Sequence, residues 1–390
     1  MRSTATETFR RLSKNSPTRR RVLVGGIAAS VAASIPVAAA NTPSPGQVFL
    51  SGMKLGGGFG VAKLGEDGSM LWSVPTDQRV HGVLRRPFSR DVVALARRPG
   101  RRGVVIDAVA GRITGTFETG PSRHLYGHGV FSPDGSYLFT TENDFEAGAG
   151  VIGVRSAGDG YRLAAEFSSY GIGPHELRWY VPGRTLAVAN GGIRTHPETG
   201  RAKLNLAQMS PSLCYIDARS GGLNARHSLP PELHRLSIRH LAVSPNRDVV
   251  VAMQYEGDRA HRLPLVAIDR GMSGLTLLRA PLSVLAAMRH YCGSVVLDVS
   301  GAIAAVSCPR GNLVTFWSVP NGGLIDTMAL PDGCGVASAG IARFLVTGGT
   351  GIVSLFDLEE GWQQYLTDSR DTYPQWDNHL SAGGDHLTES

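Results

Sequence analysis

The chain has 390 residues, 42% of them hydrophobic and 18% charged, with a formal net charge of +7. Such an excess could mark a nucleic-acid or membrane-surface protein, but residues 1–40 carry seven bases (Arg2, Arg10, Arg11, Lys14, Arg19, Arg20, Arg21) against Glu7 alone, and the remainder is close to neutral. No basic patch with interleaved aromatics remains, which argues against nucleic acid as a partner.

Residues 1–40 read as a twin-arginine export signal. Thr18, Arg19, Arg20, Arg21, Val22 and Leu23 precede a moderately apolar run, which ends in the small residues Ala38, Ala39 and Ala40. The run over 22–37 is too short and too weakly apolar for the roughly 20 residues of a membrane span. Cleavage near Ala40 is expected rather than an uncleaved anchor, leaving a periplasmic protein with no stable membrane span. Residues 41–390 then form a single domain.

From residue 47 the pattern is short apolar runs and turns, with 49 glycines, 22 prolines and hardly any helical periodicity, which predicts an all-β fold. "GQVFLSG", "GFGVAKLG" and "SMLWSVP" supply three strands. A repeat follows whose head is a histidine: His81 opens "HGVLRRPFSRDVVALARR", His128 "HGVFSPDGSYLFTTEN" and His175 "HELRWYVPGRTLAVAN". After the long insert of residues 191–211, His240 opens "HLAVSPNRDVVVAMQ", and the next two units begin at Ser294 and Cys334. Each pair of strands is followed by a third, such as "RGVVIDA" or "GIVSLFD", and usually a fourth. Four strands in about 45 residues is a propeller blade. Six blades are complete, and the C-terminal "QWDNHLSA", carrying His379, can give the N-terminal three strands their missing innermost member. The prediction is a seven-bladed β-propeller closed by pairing of its N- and C-terminal strands.

A residue repeated at the head of every innermost strand is brought into a ring around the channel. His81, His128, His175, His240 and His379 would fill five of seven places, and a cluster of neutral imidazoles is a candidate site for iron, copper or zinc. Glu176 follows His175, but adjacent residues on a regular strand point to opposite faces, so both reach one site only if the strand begins there. The loops expected on the same face carry candidate ligand-binding residues: Asn143, Asp144 and Asn190, and in the insert Arg194, His196, Arg201 and Lys203, suited to a carboxylate, a phosphate or a haem propionate. The competing reading makes each histidine a structural residue bonded to a neighbouring turn, with Asn143, Asp144, Asn190 or Asp258 as partner.

Of Cys214, Cys292, Cys308 and Cys334, only Cys292 and Cys308 are placed to face one another across a hairpin. Four buried thiols is the alternative. No G-x-S-x-G elbow, H-E-x-x-H helix, phosphate-binding glycine loop or C-x-x-C-H is present.

"YGHGVFSPDG", "GIGPHEL", "ANGGIRTHPETGRAKLNL", "RHLAVSP" and "WDNHL" resemble the bacterial family bearing the domain of unknown function numbered 1513, across nearly all of the chain after residue 40. The resemblance implies a periplasmic propeller accompanied by imelysin-type and di-haem oxidoreductase-like proteins, hence iron-uptake or redox partners. It supplies no activity. The expectation is an accessory protein of iron acquisition that binds a transition metal or a small anion in a histidine-rich funnel. The alternatives are a metal-dependent hydrolase or oxidoreductase and a ligand-free interaction platform.

Overall fold

The apolar runs of the sequence become the second strands of seven four-stranded antiparallel sheets. Asp91–Ala96, Thr185–Asn190, Asp248–Tyr255 and Ile303–Cys308 are buried over nearly their whole length. A strand covered on both faces cannot alternate apolar with polar residues, which is why these segments read as continuous Val, Ala, Leu and Ile runs. The structure, a computed structural model, describes residues 46–367 and 374–383. The twin-arginine stretch and the cleavage point near Ala40 lie outside the described residues.

Blade 1 spans residues 48–76, and the other six follow in chain order at 80–118, 123–168, 174–228, 236–277, 294–329 and 333–365. Blade 1 is completed by Gln375–Gly383, which pairs antiparallel with Val48–Leu55, Val48 opposite Gly383 and Lys54 opposite Gln375. The innermost strands touch one another in sequence around the channel and close between Gly333–Gly340 and Gln375–Gly383. The expected seven-bladed propeller with joined ends is therefore the fold observed. Closure gives blade 1 its innermost strand and ties the C-terminal histidine into the ring.

Aliphatic and aromatic side chains fill the spaces between blades. Trp317 is fully buried, its Nε1–H donating to Thr315 Oγ1 at 2.8 Å. The Ser132-Pro133-Asp134-Gly135 turn lies against blade 2. Gly135 has φ +70°, and a Cβ there would sit 2.6 Å from the Pro87 carbonyl oxygen. All four cysteines are buried and free, the alternative of four buried thiols rather than a Cys292–Cys308 pair, and the Cys292 and Cys308 thiols point toward the carbonyl oxygens of Leu265 and Val306. Among the described residues no helix is long and apolar enough to cross a membrane.

Candidate metal centre in the central channel

Every histidine of the repeat stands at or beside a break in strand register. His81 is the extra residue between Val80 and Gly82, which face Ala96 and Leu95. His175 is the extra residue between Pro174 and Glu176. Tyr126, Gly127 and His128 lie between the paired residues Leu125 and Gly129. His240 follows the shift at Ile238, and His379 ends the irregular stretch between Trp376 and Leu380. A bulge re-aims side chains that a regular strand would send to alternate faces, and here it turns an imidazole into the channel. Gly127 is required for the close approach: its φ is +96°, and a Cβ would lie 2.5 Å from His81 Cβ.

The five rings form one cluster with His128 at its centre. Ring centroids are 4.8 Å from His128 to His81, 5.1 Å to His175, 5.7 Å to His240 and 4.5 Å to His379. His175 and His240 are 4.7 Å apart, and His240 and His379 5.0 Å. Two triads each bring three ring nitrogens within 4.8 Å of one another: His81, His128 and His175, and the fully buried His128, His240 and His379.

Two carboxylates orient the rings. Glu176 Oε2 accepts from His240 Nδ1 at 3.0 Å, and its other oxygen is 3.9 Å from His128 Nδ1 and 2.6 Å from Arg178. Asp377 Oδ1 accepts from His81 Nδ1 at 3.3 Å. Because a carboxylate only accepts, Nδ1 is the nitrogen that carries a proton toward it in both His81 and His240. Burial alone would raise the pKa of Glu176, but Arg178 and the neighbouring imidazoles outweigh it and hold the group below the ordinary carboxylate range. At Asp377 burial is likewise outweighed, there by the His81 hydrogen bond and by Arg79 and Arg97. Burial pushes the pKa of His128, His175 and His379 well below the ordinary imidazole value and lowers that of His81. These rings are neutral at pH 7, the form that ligates metals.

Three nitrogens in this cluster, His128 Nε2, His175 Nδ1 and His379 Nε2, are buried and have no hydrogen-bond partner. His124, four residues before His128 on the same strand, is different. Its Nδ1 meets the Leu125 carbonyl oxygen at 3.0 Å and its Nε2 meets Asn143 Nδ2 at 3.0 Å. His124 is the satisfied structural histidine. The channel cluster instead leaves these three ring nitrogens unmet, a cost of about 1–3 kcal/mol for each unmet group, and this fits a bound transition metal.

Above the rings opens a cavity of about 430 Å³ floored by His81, His175 and His240. Arg201 and Lys203 of the insert line it, as anticipated, together with residues the sequence reading missed: Arg97, Arg98, Arg239 and Arg310. The other loop candidates are placed elsewhere. Asn143 bonds His124 and the Thr195 carbonyl, Asp144 pairs with Arg123, and Asn190 bonds Ser169. Arg194 packs on Gly148, and His196 accepts from Glu198 N–H at 3.3 Å. None of these five lines the cavity. The ring histidines bond Glu176, Asp377 and Ser294 instead of the four expected partners. The one advance signal for Asp377 was its place two residues before His379.

The family model described as "Protein of unknown function (DUF1513)" matches residues 74–383. No curated protein matches the chain. Among solved structures, the hydrazine synthase of Kuenenia stuttgartiensis superposes with a TM-score of 0.58 at 13% identity, over 80% of this chain and 90% of that one. At that identity the likeness is one of fold alone, and propellers host many unrelated functions.

Proposed function

We propose that this chain, which belongs to the DUF1513 family, holds one divalent transition metal among its channel histidines and serves as a periplasmic accessory protein of iron uptake or redox metabolism. The observation that carries the metal reading is the set of three buried, partnerless ring nitrogens gathered around His128. His128, His240 and His379 would hold the ion. Glu176 behind His240 and the Ser294 hydroxyl, 3.5 Å from His379 Nδ1, fix the ring orientations, as groups behind metal-ligating histidines commonly do.

Neutral imidazoles suit iron, copper and zinc alike. When bound, such an ion supplies Lewis acidity and a local positive charge. This chain's own residues supply the proton placement on His81 and His240 and the burial of His128, His240 and His379. Periplasmic placement is supported by Arg19, Arg20 and Arg21 ahead of the apolar run and by the small residues Ala38, Ala39 and Ala40. The iron-related role is supported by the family resemblance.

The test is elemental analysis of protein exported by its own host and purified without tag or chelator. Near-stoichiometric iron, copper or zinc is expected. A metal-free protein that takes up none of the three when they are added back would overturn the reading.

A further inference from the structure

We propose that the funnel above the histidines is a binding site for a small polyanion, one molecule with two or more carboxylate or phosphate groups, gripped by Arg97, Arg98, Arg201, Lys203, Arg239 and Arg310. The first argument is charge. Outside residues 1–40 the chain is close to neutral, yet these six cations line one cavity of about 430 Å³ with Glu256 as the single carboxylate on its wall. Glu256 is already engaged, by an ion pair with Lys203 and by Arg239 at 3.8 Å.

The second argument is pairing. Several arginines elsewhere that are half-buried or buried meet acids, Arg86 with Asp91, Arg123 with Asp144 and Glu166, and Arg155 with Glu142, whereas arginines on the open surface such as Arg112 and Arg219 need no such partner. Among the described residues, Arg97, Arg98, Arg201 and Arg310 form no ion pair, and the Nε of Arg239 is buried without an acceptor. Two like charges 4 Å apart repel by about 1 kcal/mol in water and about 4 kcal/mol near a protein surface. Glu256 on the wall and Asp377, which interacts with Arg97, offset only part of this charge, and an entering anion balances the rest.

The third argument is shape. Guanidinium forks match carboxylate and phosphate oxygens two at a time. The cations come from blades 2, 4, 5 and 6 on different sides of the funnel, so one acidic group reaches only part of the set and two or more are needed to span it. The volume falls within the roughly 300–1,000 Å³ of small-molecule sites. None of the six belongs to either histidine triad, whose His81, His175 and His240 floor the same cavity, so the proposal goes beyond the metal reading.

The experiment is calorimetric titration of the full protein at low salt, as purified and again after metal is stripped over a chelating resin, with citrate, pyrophosphate and acetate as ligands. Citrate or pyrophosphate is expected to bind at least about tenfold more tightly than acetate and to weaken as salt is added. Preference for citrate identifies the carboxylate class and preference for pyrophosphate the phosphate class. The Arg201→Ala/Arg310→Ala variant changes two exposed rim residues and is expected to lose about tenfold or more in affinity with its melting temperature retained. Polyanions that bind no better than acetate, an unchanged affinity in the rim variant, or binding that vanishes when metal is stripped would overturn the proposal. Binding that survives in a His128→Gln/His240→Gln variant that has lost its metal upholds it and separates its fate from that of the metal site.

Discussion

Blades 1 to 5 present His379, His81, His128, His175 and His240 to the channel, whereas blades 6 and 7 present Ser294 and Cys334 at the matching places. In blade 7 the backbone does not make this difference, whereas blade 6 pairs regularly from Ser294 onward. Blade 7 carries the same kind of bulge, Cys334 being the extra residue between Gly333 and Gly335. Its thiol donates toward the carbonyl oxygens of Asp377 at 3.2 Å and Thr347 at 3.4 Å, and burial pushes its pKa up. In this arc Cys334 therefore closes on backbone carbonyls and Ser294 on the His379 ring, while the other arc turns unmatched imidazole nitrogens toward its neighbours. A bulge does not by itself make a site, and the chemistry belongs to what stands on it.

Substitutions at the two arcs test that contrast most severely. His128→Gln removes the ring shared by both triads and should lower metal affinity by more than about a hundredfold, beyond the range typical of groups behind the ligands. Cys334→Ala should leave affinity unchanged. Metal titration of both variants checks this, and equal losses would erase the distinction between the arcs.

A smaller effect is expected one layer out. Glu176→Gln keeps the shape but removes the charge that accepts the His240 proton, and a loss of about 10- to 100-fold in metal affinity should follow. An unchanged affinity would mean that packing alone orients the ring.

The smallest effect is on stability against pH in metal-stripped protein. His81, His128, His175 and His379 have folded-state pKa values below the ordinary value, so below about pH 6.5 the unfolded chain binds more protons than the folded one. Stability is then lost as pH falls below that point, by up to about 1.4 kcal/mol per pH unit for each ring. Thermal melts between pH 7 and pH 5 should show the decline, and His175→Gln should flatten it. The Cys334 arc contributes nothing in this window. A melting temperature independent of pH would show that the rings are not held neutral by burial.

Much of the architecture was legible because blade formation is local and repeated. Val92, Val93 and Ala94, or Val249, Val250 and Val251, announce strands covered on both faces, and the 47-residue spacing from His81 to His128 to His175 marks equivalent places. The closing strand was legible from arithmetic, three strands at one end and one at the other. The insert was only half legible. Arg201 and Lys203 line the funnel, while Arg194 and His196 turn to Gly148 and Glu198, because a loop without period gives no rule for which side chains point inward.

The sequence by itself determined the period, the all-β class and the recurrence of histidine at blade heads, since each depends on residue type and spacing along the chain. The tertiary structure decided the rest. The bulges that let His175 and Glu176 serve one site depend on how an inner strand bends beside its neighbours. The meeting of Asp377 with His81, and of Arg97 with Arg201, Arg239 and Arg310, depends on ring closure bringing distant segments around one axis. Local preference sets what a strand is, but only packing sets which strands share a channel.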